Sequence, residues 1–124
     1  MNKTYPAIFT KEGSGKYAVS FPDLDGCYTC GDSLDEAMEN AAEASGLFLI
    51  SALVDGESLP EPSKLEDIIC DEIEVVTYVV ADMNDTQDLR NKTLTIPAWL
   101  DEVAQRQKIN FSAALRDALI RQIV

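Results

Sequence analysis

The last 34 residues constrain this chain most, because they spell out a strand and two helices in a length too short to bury a core of its own. Asn91-Lys92-Thr93-Leu94-Thr95-Ile96-Pro97 alternates as a strand, with Leu94 and Ile96 on one face and Asn91, Thr93 and Thr95 on the other. Pro97 then opens a helix, since the amide it lacks is one that a first turn leaves unpaired anyway. Trp99, Leu100, Val103 and Ala104 give that helix an apolar stripe. Ile109-Asn110 breaks it, and Asn110 is a good N-cap. Ala113 to Val124 reads as a second helix, with Leu115, Leu119 and Ile123 spaced by four. A fragment this small escapes its shortage of core by pairing, so an obligate homodimer is expected.

Charge divides the chain at the same place. Residues 1–89 hold 4 Lys and Arg against 19 Asp and Glu, a net of -15, while residues 90–124 hold 6 against 3, a net of +3. The acidic part repels nucleic acid and the basic part can approach phosphates, which assigns them different partners. The chain has no histidine. That removes Ser-His-Asp and Cys-His nucleophile systems and the usual neutral-pH base, so an enzyme here would have to work with carboxylates. Cys27 and Cys30 form a CxxC, but only Cys70 remains to complete a four-ligand zinc site. Their spacing in extended backbone points them to opposite faces, so they read as ordinary cysteines and no metal or cofactor is expected. The opening residues lack the basic head and apolar run of a signal peptide, and no stretch approaches the ~20 apolar residues of a membrane span. A cytoplasmic protein without a membrane partner is expected.

The N-terminal part reads as one small two-layer domain of order β-β-β-α-β. Residues 4–10 alternate with Tyr5, Ala7 and Phe9 together, and Pro6 points to an edge or bulge on one side. Residues 17–21 and 27–31 supply two further strands, joined by the turn Pro22-Asp23-Leu24-Asp25-Gly26. Ser33-Leu34-Asp35-Glu36 fits a capping box. The helix behind it carries Leu34, Met38, Ala41, Ser45, Phe48, Leu49 and Ala52 at three- and four-residue spacing and ends at Asp55-Gly56. Ile73 to Val80 is almost continuously apolar, which reads as a central strand buried on both faces. Residues 81–90 are polar and read as a linker. The fold class is therefore α+β, with domains at 1–80 and 91–124.

Residues 91–124 as a whole resemble the ribbon-helix-helix repressor family, in which two chains pair their strands. The resemblance implies a ribbon in the major groove, with Asn91, Lys92, Thr93 and Thr95 at the DNA and the amides at Asn110, Phe111 and Ser112 on a phosphate. Two threonines depart from the arginine, lysine, asparagine or glutamine often found there, and threonine cannot make a bidentate contact to guanine. A ribbon that only dimerises the chain is the alternative.

Residues 5–62 resemble the HicB antitoxin family. The resemblance is carried by Tyr5-Pro6-Ala7-Ile8-Phe9, then Ser20-Phe21-Pro22-Asp23-Leu24-Asp25-Gly26-Cys27, then Gly31-Asp32-Ser33-Leu34-Asp35-Glu36-Ala37, with Leu59-Pro60-Glu61-Pro62-Ser63 following. It implies a partial RNase-H-like fold, binding to a small basic mRNA-cleaving toxin of the HicA type, and repression of the pair's own promoter from operator DNA. Phe21, Asp23, Asp25, Asp35, Glu39 and Glu43 are the expected toxin-binding residues. Asp35, Glu39 and Glu43 follow one another at i+4 without a lysine, a repulsion that a cationic partner would turn into attraction. A solvated acidic face is the bland alternative. Asp23 and Asp25, at i and i+2, also raise a metal-dependent RNase-H-like nuclease, although a domain this acidic attracts RNA poorly. The expected protein is thus a non-enzymatic antitoxin, a dimer through its C-terminal domain, with a tetramer as the alternative assembly.

Overall fold

The computed structural model describes residues 3–85 and 88–124. They fall into two compact units, one running to Asp85 and the other holding residues 88–124. The chain is an α+β protein, its described residues forming one four-stranded antiparallel sheet and three α-helices. None of the helices among the described residues is long and apolar enough to cross a membrane.

The N-terminal unit comprises β1 (Thr4–Lys11), β2 (Tyr17–Ser20), β3 (Tyr28–Gly31), α1 (Leu34–Val54) and β4 (Glu74–Val80), with a short 3-10 turn at Leu65–Asp67. The sheet order is β3-β2-β1-β4. The register puts Tyr5, Ala7, Phe9, Val19 and Val79 on one face, and all five are buried. Gly31 lies on the same face, pressed so closely against Ala37 at the start of α1 that a side chain there would meet the helix backbone. That face carries the core. Pro6 sits inside the sheet, but its missing amide points toward β2 beyond the last β2 residue, so no ladder bond is lost there.

Ser33 caps α1 as the capping box requires, its Oγ accepting the Glu36 amide at 3.2 Å. The buried side of α1 is Ala37, Ala41, Ser45, Gly46, Leu49 and Ala52. Leu34 and Met38, expected inside, are exposed. Small residues at 37, 41, 45 and 46 let the helix lie close to its neighbours, which shifts the contact line away from the bulkier side chains. The Ser45 hydroxyl is satisfied by donating to the Ala41 carbonyl at 2.7 Å.

Two further expectations fail in this unit. β4 is an edge strand, not a central one, and of its seven residues only Val79 is buried. Its valines gave a run that looks the same whether both faces are covered or one edge is left bare. Residues 81–85 are not free linker either. Ala81 and Met83 are buried, and the Asp82 amide donates to the Ala42 carbonyl at 2.9 Å. The unit therefore closes by laying the segment after β4 against α1.

In the C-terminal unit, α2 spans Ala98–Arg106 and α3 spans Phe111–Ile123. Lys108 between them takes a left-handed backbone, φ 57°, and lets the Ile109 amide reach back to the Ala104 carbonyl at 3.0 Å. Asn110 caps α3 by accepting the Ala113 amide at 3.1 Å, so the helix begins two residues earlier than the spacing of its leucines suggests. Residues 91–97 form no strand in the single chain. A strand is defined by its ladder, and the described residues of this short unit contain no second strand to pair with.

Candidate functional site

Three regions are candidates: the turn holding Asp23 and Asp25, the acidic face of α1, and the C-terminal unit's apolar and polar surfaces.

At the turn, three of the four separated segments that carry the family resemblance meet. Asp23 accepts the Ser63 amide at 2.8 Å through one carboxylate oxygen and the Ser63 hydroxyl at 2.6 Å through the other. The Tyr5 hydroxyl donates to the Pro60 carbonyl. These contacts bridge 40 and 55 residues of chain and clamp the long loop after α1 onto the sheet. Burial, with the charges of Glu61 and Asp23 nearby, raises the Tyr5 hydroxyl above its ordinary pKa and keeps it a donor. Residues 21–27 form tight turns, with the Leu24 amide on the Phe21 carbonyl and the Cys27 amide on the Leu24 carbonyl. The extended backbone that would set Asp23 and Asp25 side by side is absent, and Asp23 is engaged in holding the loop. No group of three or more metal-ligating side chains forms among the described residues. Phe21 is 3% exposed and belongs to the core, so its ring does not line a surface. Its period-two spacing from Val19, which is also buried, is the sequence signal for the core side.

Cys27 is buried and Cys30 exposed, as the opposite-face argument requires. Burial raises the Cys27 thiol above its ordinary pKa, which makes it a poor nucleophile.

On α1, Asp35, Glu39 and Glu43 are all exposed. The ion pair formed in this unit joins Lys16 to Asp32 at 3.8 Å between exposed side chains, and it leaves the α1 acids without a cation among the described residues. Beside Glu43 lies a shallow recess lined by Thr29, Asn40, Ala44 and Leu47. Asn40 donates to the Cys30 carbonyl at 2.8 Å and so joins α1 to the outer edge of β3. Sequence periodicity found the acids but not the recess, which depends on how the helix crosses the strand.

In the C-terminal unit Asn91, Lys92, Thr93 and Thr95 are exposed, and so are Leu94, Ile96 and Trp99. Among the described residues only Ala104 is buried there. The amides of Phe111 and Ser112 open the 13-residue α3 and have no partner within the helix.

Comparison with known proteins decides the family. Residues 5–119 match the family described as HicB_like antitoxin of bacterial toxin-antitoxin system. The chain belongs to this HicB-like antitoxin family. A 14.9 kDa protein from the rep-hol intergenic region of Haemophilus phage HP1 is 38% identical over 101 residues, covering 77% of this chain and 74% of that protein. Among solved structures, a toxin-antitoxin complex from Streptococcus pneumoniae is similar over 98% of this HicB-like chain and 99% of its own, with 27% identity and a TM-score of 0.60. A HicA3 and HicB3 toxin-antitoxin complex is similar over 64% of this chain and 99% of its own, with 28% identity and a TM-score of 0.54. The Burkholderia pseudomallei antitoxin HicB, 20% identical with a TM-score of 0.57, shares the fold over 96% of this chain and 95% of its own.

Proposed function

We propose that this HicB-like chain is the non-enzymatic antitoxin of a toxin-antitoxin pair, working in the cytoplasm. Its N-terminal unit, a partial RNase-H-like fold, covers the RNA-cutting surface of a small basic HicA-type toxin. Its C-terminal unit forms a ribbon-helix-helix dimer that represses the pair's own promoter. The observation that carries the toxin reading is the exposed row Asp35, Glu39 and Glu43, which no cation among the described residues neutralises. Like charges at i+4 destabilise a helix by about 0.2–0.5 kcal/mol per pair, and a cationic surface converts that loss into attraction. Asp25, exposed at its turn, adds to the same field, while Asp23 shapes the loop beside it. Membership of an antitoxin family, and likeness to chains solved in toxin-antitoxin complexes, supports the partner's class.

The DNA reading draws on the C-terminal unit. Leu94 and Ile96 need a partner strand, and a second copy supplies one of identical pattern. Pairing then leaves Asn91, Lys92, Thr93 and Thr95 on the outer face of a ribbon suited to the major groove, with the Asn110-capped amides of Phe111 and Ser112 on a phosphate.

The toxin reading has a kinetic test. Reversing the row with Asp35→Lys, Glu39→Lys and Glu43→Lys is expected to slow association with a HicA-type toxin at least ~10-fold at low salt and to flatten its salt dependence. Stopped-flow binding checks this. An unchanged association rate would leave the row as a solvated face and nothing more.

A further inference from the structure

We infer that the outer edge of β4 is a docking edge, where an extended segment of the cationic partner adds as a fifth strand. This inference rests on the antitoxin reading above and names the surface that holds the partner. The Ala81 amide donates to the Lys3 carbonyl at 2.8 Å, and the register continues from that pair through Tyr5–Val79, Ala7–Thr77 and Phe9–Val75. Odd-numbered residues of β4 therefore bond to β1, and the amides and carbonyls of Val76, Tyr78 and Val80 point away from the sheet. At Glu74 the outward groups are taken, the amide by the Asp71 carbonyl at 3.0 Å and the carbonyl by the Cys70 thiol at 3.9 Å. Among the described residues nothing pairs with the outward groups at 76, 78 and 80.

The other margin of the sheet shows what a managed edge looks like in this protein. There α1 packs over β3, and Asn40 closes the outward carbonyl of Cys30. β4 meets the 3-10 turn Leu65–Asp67, but among the described residues no side chain closes its outward groups at 76, 78 and 80 as Asn40 does for β3. It also lacks the usual protections of a bare edge, a lysine, a proline or a bulge, at every position from Val75 to Ala81. Val75, Tyr78 and Val80 are 63%, 46% and 52% exposed. An edge of this kind is made to be covered.

Charge selects the occupant. Asp71, Glu72 and Glu74 stand at one end of the strand and Asp82 at the other, with Lys3 and Lys11 one strand inward. A second copy pairing antiparallel would bring the acidic start of each strand against the acidic end of the other. A cationic segment with alternating apolar residues instead meets acids at both ends and valines between. Backbone bonds give such an added strand its grip, and the side chains beside it give specificity. The acidic row on α1 then speeds approach from the far margin, while the β4 edge sets residence time.

Amide exchange on the full chain, free and bound to a HicA-type toxin, tests the inference. The Val76, Tyr78 and Val80 amides are expected to exchange fast in the free chain and at least ~100-fold slower in the complex. A complex that leaves these amides unprotected overturns the docking edge and spares the antitoxin reading. Protection in the free chain that grows with concentration overturns it in favour of a second copy. Failure to form any complex overturns both. Tyr78→Pro removes one outward donor without touching the β1 ladder, and is expected to speed toxin dissociation at least ~30-fold with association unchanged.

Discussion

An alanine at Gly46 is expected to destabilise the N-terminal unit by about 3 kcal/mol, near the upper end of what overpacking costs. A β-carbon built there falls inside the contact distance of the Asp82 carbonyl, so backbone and not a flexible side chain would have to yield. The same carbonyl belongs to the residue whose amide holds Ala42 at 2.9 Å, and its neighbours Ala81 and Met83 are buried. Moving Asp82 therefore loosens the whole closing segment. Gly13→Ala is the control, because a β-carbon there meets nothing within 4 Å. Urea unfolding should show the Gly46 variant with a lowered midpoint and the Gly13 variant near wild type. A neutral Gly46→Ala would mean that the segment after β4 does not lie on α1.

If the C-terminal unit pairs as proposed, Leu94→Glu is expected to separate the dimer and abolish operator binding. Leu94 and Ile96 are 57% and 50% exposed in the single chain, and Trp99 is 65% exposed. Burying a leucine contributes about 1.5–3 kcal/mol. Each dimer carries two copies, so the dissociation constant should rise by roughly 10²–10⁴. Sedimentation equilibrium reads the dimer, and a gel shift on promoter DNA reads the complex. Thr95→Ala, on the opposite face, should weaken the DNA complex and leave the dimer intact. If Leu94→Glu remained a dimer, the ribbon would not be the pairing element.

What was legible in the sequence was mostly what is local. Ser33 and Asn110 announce their helices because a cap needs only one side chain and an amide three residues on. The alternation of Tyr5, Ala7 and Phe9 survives because period two fixes which residues share a face. What was not legible depends on neighbours distant in the chain. The valines of β4 could not say whether a strand lay on each side of them. Polar Asp82 masked the burial of Ala81 and Met83, and only the approach of Gly46 explains that segment. Asp23 reads as a toxin contact, with metal ligation as the alternative, until Ser63 is seen across 40 residues. The acidic row on α1 was fully visible, since i+4 spacing is itself the geometry.

The central claim is that the two units do separate work, and a truncation tests it most directly. Residues 1–89, expressed in place of the full chain, should still rescue growth against a HicA-type toxin while losing all binding to promoter DNA. Rescue lost from a truncated chain that unfolds cooperatively would contradict the account, because toxin masking would then require the C-terminal unit.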